Sequence, residues 1–176
     1  VISLVDTLEQ ITSVSWDYLM SDRKVGNASG LEYYAFVWQS DSVEMTGSLG
    51  HFDDPNDVIK REPYGANFRM GAFDFTFVVF HQRCGTSLND RRAEAIHFGD
   101  IYTFFQNANG DEQDVLIGGD FNLPGNDYSF TAVSEGLVTY SVDPQQATSI
   151  SAEGLRNPYD NIFFDDAMVT ERVGQG

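Results

Sequence analysis

Asp120 and Asn122 stand two residues apart in the stretch Leu116-Ile117-Gly118-Gly119-Asp120-Phe121-Asn122-Leu123-Pro124. An extended chain carries such a pair on one side. A carboxylate can bind a hard divalent cation and polarise a water, and a neutral carboxamide can donate to charge developing on a phosphate. Those are the needs of phosphodiester hydrolysis. Asp114-Val115-Leu116-Ile117 is a short apolar run that predicts a buried strand delivering the pair. Gly118-Gly119 end that strand where the backbone turns tightly or passes close to another group. The same residues also read as an ordinary strand-end turn, because Gly, Asp and Asn all form turns.

Three more polar residues fall at predicted strand ends. Glu32 begins Glu32-Tyr33-Tyr34-Ala35-Phe36-Val37-Trp38, His81 closes Phe73–His81, and Asp160 is the second residue of Tyr159-Asp160-Asn161-Ile162-Phe163-Phe164. Singly, each has a structural reading: a satisfied histidine, an exposed glutamate, a turn aspartate. Around them the pattern predicts a helix over Val1–Thr12 and strands at Trp16–Met20, Glu32–Trp38, Tyr64–Arg69, Phe73–His81, Leu137–Val142 and Tyr159–Phe164. Ser42–Ser48 is expected to pair back onto 32–38 across Ser40-Asp41. Gly50–Asp57 reads as an acidic loop holding His51. Leu88–Phe105 reads as one helix, with Asn89 and Asp90 available as caps and Asn109-Gly110 as its stop, and Phe130–Ser134 as a short helix. Strand–helix–strand order over 73–119 argues for an α/β (α+β) sandwich with a mixed sheet.

At 176 residues the chain is read as a single domain, 1–176, with 14 Phe and 8 Tyr suiting a packed β-rich interior. Ten Lys+Arg against 27 Asp+Glu give −17. That balance argues against a tight polyanion binder but not against an enzyme meeting one phosphate through a metal. Only two of the ten cations are lysines, which also fits a protein kept soluble at high salt. No apolar run reaches the ~20 residues of a membrane helix. Cys84 stands alone, so compartment stays open between secreted and cytoplasmic.

Together, Gly30-Leu31-Glu32-Tyr33-Tyr34-Ala35-Phe36, Arg61-Glu62-Pro63, Val78-Val79-Phe80-His81, Gly119-Asp120-Phe121-Asn122 and Tyr159-Asp160-Asn161-Ile162 resemble the endonuclease/exonuclease/phosphatase superfamily, and its deoxyribonuclease I-like branch. The resemblance implies a two-sheet sandwich flanked by helices, and a metal-dependent phosphodiesterase acting on DNA. It implies a catalytic set of Glu32, His81, Asp120, Asn122 and Asp160, with Glu32 and His81 as a proton-transfer pair and Asp160 as partner of a second histidine. Arg61 matches an arginine gripping a substrate phosphate. Asp120 and Asn122 stand on the metal side, the metal being Mg²⁺ (or Ca²⁺ or Mn²⁺).

Departures from that pattern set further expectations. The family's opening strands, one carrying Asn and one ending Gln-Glu, and its closing Ser-Asp-His strand have no counterpart. The position of its minor-groove aromatic is Gly30. The sequence therefore resembles a domain lacking its first and last portions. Weak metal binding follows, with hydrolysis by the chain alone undetectable or very slow. Exposed sheet edges are expected to form a homodimer or to be sealed by 167–173. Two other readings stand beside the nuclease: a non-catalytic binding or structural relic of the fold, and a phosphatase of phospholipid or inositol phosphate head groups.

Overall fold

The computed structural model of the chain describes residues 1–27, 30–108, 110 and 113–170. Its centre is a six-stranded sheet with spatial order β3-β4-β5-β6-β10-β7. The strands are β3 Glu44–His51, β4 Tyr64–Met70, β5 Phe73–His81, β6 Val115–Asp120, β7 Thr139–Tyr140 and β10 Asp160–Phe164. All neighbours pair antiparallel except β5 and β6, which run parallel. A parallel step needs a crossover, here made by helices α2 (Leu88–Ala95) and α3 (Phe98–Ala108).

The strands alternate as a sheet covered on both faces requires. Thr76, Val78 and Phe80 of β5, Val115 and Ile117 of β6 and Phe163 of β10 are buried on the helix side. Phe98, Ile101, Tyr102 and Phe105 of α3, at helical spacing, complete that core. On the other face Phe68, Phe75, Phe77 and Val79 meet a separate two-stranded sheet, β1 (Trp16–Met20) with β2 (Ala35–Gln39). That small sheet covers the β4–β5 end of the face. An apolar groove of about 300 Å³ lined by Phe36, Trp38, Phe68, Phe75 and Phe77 opens beside it.

The predicted one-helix segment 88–105 is two helices broken at Ile96-His97, and Ser87 rather than Asn89 or Asp90 supplies the cap, accepting from the Asp90 amide. Ser42–Ser48 does not return onto 32–38: β3 pairs with β4, and Ser40-Asp41 carries the chain from one sheet to the other. Strand β2 starts at Ala35, three residues later than expected, while Glu32 makes an isolated bridge to Val25. Helix α1 (Ile2–Thr12) forms as expected, yet buries Val5 alone. A small hairpin, β8 (Ile150–Ser151) with β9 (Gly154–Leu155), and the short helix α4 (Thr131–Ser134) complete the order. The expected strand sealing at 167–173 is absent over 167–170, which form a turn, and the rest of it lies outside the described residues, as does Asn109.

Candidate active site

The sheet register lines up three polar side chains. His81 ends β5 beside Asp120 at the end of β6, and Asp120 stands opposite Asp160 at the start of β10. Residues paired side by side leave the sheet on the same face, here the face away from α3. The row crosses the parallel step, at the carboxyl ends of β5 and β6. A cleft of about 420 Å³, lined by Asp120, Asp160, Thr148, Ser149 and Ile150, opens over its β10 end.

At the other end of the row, Glu32 reaches His81, with Oε2 2.6 Å from Nδ1. Both side chains are about one-third exposed, so the pair is reachable from solvent. Its placement depends on the main chain around it. The His81 amide donates to Tyr34 Oη at 3.1 Å, and its carbonyl accepts from Arg61 Nε at 2.8 Å.

The next anchor is Phe121, between Asp120 and Asn122. Its ring is fully buried, packing edge-on to Phe163 at 4.7 Å and to Phe98 at 5.8 Å. With the ring so fixed, the residues on either side are delivered to the sheet end. The expectation that Asp120 and Asn122 share one side through persistent extended geometry does not hold. Asn122 turns into the left-handed region at φ 51°, and its amide donates to Asp120 Oδ1 at 2.8 Å. An Asn tolerates that backbone because its side chain bonds locally. Its carboxamide turns inward and donates to the Gln82 carbonyl at 3.0 Å, leaving the residue 8% exposed. Asn122 is thus a strut under the site rather than an open metal ligand.

Arg61 is likewise displaced from its expected role. It is buried, with its fork spent on the His81 and Gln82 carbonyls and NH1 lying 3.7 Å from Glu32. A guanidinium so engaged does not face a solvent-borne phosphate. No histidine pairs with Asp160 among the described residues, since His51 meets Asp22, His81 meets Glu32 and His97 meets Asp100. A metal centre is also incomplete: no group of three or more His, Cys, Asp or Glu side chains among the described residues could hold an ion. Two carboxylates on adjacent strands, one of them already accepting a backbone amide, do not make the inner sphere of a hard cation.

Several supporting residues escaped the reading of the sequence. Helix α2 is polar almost throughout and works as a clamp. Arg91 donates to the Asn122 carbonyl at 2.7 Å and to Tyr159 Oη at 3.0 Å. Arg92 forks onto Asp127, and buried Glu94 accepts the Lys60 and Arg83 amides. The signal was present as a run of charges, Asp90-Arg91-Arg92-Ala93-Glu94, on a helix that must pack beside the sheet end. Burial raises the Asp127 carboxyl, but hydrogen bonds from Arg92 and Ser129 outweigh it and hold the group below the usual carboxylate range. Burial pushes the Tyr34 phenol well above its ordinary value, against the opposing pull of the His81 amide and the Arg61 charge.

No family model matches the chain. It is 33% identical to a deoxyribonuclease of Thioalkalivibrio sp. (strain K90mix) over 168 residues, 91% of this chain and 45% of that protein. A solved endonuclease/exonuclease/phosphatase family protein from Bacteroides thetaiotaomicron superposes with TM-score 0.59 at 18% identity, covering 93% of this chain and 66% of that one. The D. rerio TDP2 structure complexed with a single-strand DNA product gives TM-score 0.59 at 15% identity, with coverage of 93% and 66%. The chain spans less than half the length of the curated relatives it matches.

Proposed function

From the premise that this chain belongs to the endonuclease/exonuclease/phosphatase superfamily, with a deoxyribonuclease I-like fold, we propose that it carries the proton-transfer half of a phosphodiesterase site acting on DNA. The observation that carries this reading is the 2.6 Å Glu32–His81 contact standing in register with Asp120 and Asp160. A carboxylate on Nδ1 holds the ring proton there and leaves Nε2 to accept a proton from an attacking water. Negative charge on Glu32 then stabilises the imidazolium that forms. The similarity to a deoxyribonuclease, and to a fold neighbour solved with a DNA product, favours DNA over a lipid or inositol phosphate.

Nucleases of this superfamily generally use a divalent metal. Among the described residues no group of three or more His, Cys, Asp or Glu side chains could hold one. Asp120 and Asp160 are the carboxylates this chain offers toward such a centre. That incompleteness favours a second reading, a domain that binds phosphodiesters without turnover.

A nicking assay decides between the two. The chain, incubated with supercoiled plasmid and Mg²⁺ or Mn²⁺, is expected to nick slowly, and His81→Ala to lower the rate about 10²–10⁴-fold. Nicking unaltered by His81→Ala overturns the proton-transfer role, and no nicking above buffer with either cation favours binding without turnover.

A further inference from the structure

Glu32 and Tyr34 are two residues apart, and both reach His81, one at its ring and the other at its main chain. The geometry assigns Tyr34 and Arg61 as positioning residues: a buried brace that sets where the His81 ring meets Glu32. This rests on the reading of the Glu32–His81 pair as the proton-transfer unit.

The need for a brace follows from the sheet. The amides of Thr76 in β5 and of Gln82 just past its end point toward β6, bonding the Asp114 and Asp120 carbonyls. Strand alternation therefore turns the polar groups of Val79 and His81 toward β4. Strand β4 begins at Tyr64, which stands opposite Val79. Beyond it is Pro63, and no strand is left to partner His81. A buried backbone amide and carbonyl without partners are costly. Two side chains stand in for the missing strand. Tyr34 Oη accepts the His81 amide at 3.1 Å, and Arg61 Nε donates to the His81 carbonyl at 2.8 Å.

These contacts close on themselves. Tyr34 Oη donates to the Arg61 carbonyl at 3.2 Å, so its hydroxyl accepts from one residue and donates to the other. Only a neutral phenol does both, and the burial that raises Tyr34 keeps it neutral. Arg61 NH2 donates to the Gln82 carbonyl at 2.6 Å, and Asn122 Nδ2 donates to that same oxygen at 3.0 Å. One carbonyl thus joins the Glu32–His81 side of the site to the Asp120–Asn122 side. Arg61 NH1 stands 3.7 Å from Glu32 Oε1, so it also biases the carboxylate that orients the ring. Ser21 holds Tyr34 in turn through main chain and side chain: the Ser21 amide donates to the Tyr34 carbonyl at 2.8 Å, and the Tyr34 amide to Ser21 Oγ at 3.0 Å.

Tyr34→Phe removes the hydroxyl and keeps the ring, so the variant retains its packing. Its NMR spectrum is compared with that of the parent chain and of Glu32→Gln. The expected result is at least tenfold faster exchange of the His81 amide, with loss or displacement of the downfield Nδ1–H resonance that Glu32→Gln abolishes. Circular dichroism should stay that of the parent. An unchanged His81 amide and ring resonance in Tyr34→Phe overturns the brace. Arg61→Lys keeps the charge and loses the fork. In the nicking assay Tyr34→Phe and Arg61→Lys are expected to lower kcat about tenfold with KM held, whereas a substrate-gripping arginine would raise KM and steepen the salt dependence. A chain that shows the NMR changes but nicks no DNA refutes the phosphodiesterase reading and leaves the brace standing. A chain whose Tyr34→Phe variant nicks like the parent refutes the brace alone.

Discussion

His81 is held by three partners, and only one of them touches its ring. Glu32→Gln keeps the shape of that contact and removes the charge, so the imidazolium loses its stabiliser. Nicking by Glu32→Gln should fall about 10²-fold or more, and parent-like activity would show that the carboxylate plays no part in proton transfer. The cation side is expected to be weak. A calorimetric titration with Mg²⁺ should give a dissociation constant on the order of 1 mM, and Asp120→Ala should abolish the heat. Tight stoichiometric binding by the parent would show that other residues complete the centre. The residue types legible in the sequence were Glu32, His81, Asp120 and Asp160, because each is a polar residue at or near the end of an apolar run: His81 and Asp120 close their strands, Asp160 opens one, and Glu32 stands three residues before β2. The direction of a long or flexible side chain was not legible. Arg61 next to Glu62-Pro63 carries no sign that its fork will turn inward to the carbonyls of β5. Nor does Asn122, two residues from Asp120, announce the left-handed backbone that points its amide away from the cleft.

At the level of elements, the strand that bears Asp120 depends on a close approach. Gly119 stands beside Phe80 in the parallel pair, at φ 151°, and a Cβ there would collide with the Phe80 carbonyl oxygen. Gly119→Ala should destabilise by more than about 3 kcal/mol, read as a large loss of Tm or as insoluble protein. Wild-type stability would show that the strands part at no cost. The clamp between α2 and the loop after Asn122 is acid-sensitive. Folded Asp127 titrates below its unfolded value, so its contribution is whole above about pH 4 and is lost as pH falls through the lowered value. Asp127→Asn should therefore be less stable than the parent at pH 7 and converge with it near the acid limit, checked by urea melts across pH. Equal stability of the two at pH 7 would remove the clamp. Ser87→Ala should cost about 1 kcal/mol through loss of the α2 cap. Apolar spacing made the strands and α3 legible. The break at Ile96-His97 was not, because helical periodicity runs on through a one-turn interruption when the second helix keeps the phase. The β3 pairing was missed because a tight turn signal at Ser40-Asp41 says that the chain reverses, not which sheet it enters.

On the scale of the whole molecule, −17 spread over 176 residues repels itself. Salt screens that repulsion over about 10 Å at 0.1 M, so Tm should rise between 0.01 and 1 M NaCl. A flat or falling Tm would show that the acidic groups are already locally compensated. The homodimer expected from exposed edges finds no support in this geometry. Outer strand β3 carries two register shifts, at Met45/Gly47 and Ser48/Gly50, and the opposite edge, β7, is two residues long; bulged and short edges resist pairing with another chain. The fold class was legible because strand–helix–strand order demands a crossover, whereas the division of the aromatic residues into two separate cores was not, since alternation says which residues share a face but not what covers it. The parallel pairing of β5 with β6 has a kinetic consequence. Antiparallel neighbours such as β4 and β5 meet through a short turn, but His81 cannot stand beside Asp120 until α2 and α3 have been laid down between them, and the Glu32 contact spans 49 positions. Long-separation contacts close late. The row of polar side chains is therefore among the last things to assemble during refolding, so the return of His81-dependent chemistry should lag behind the return of helical signal.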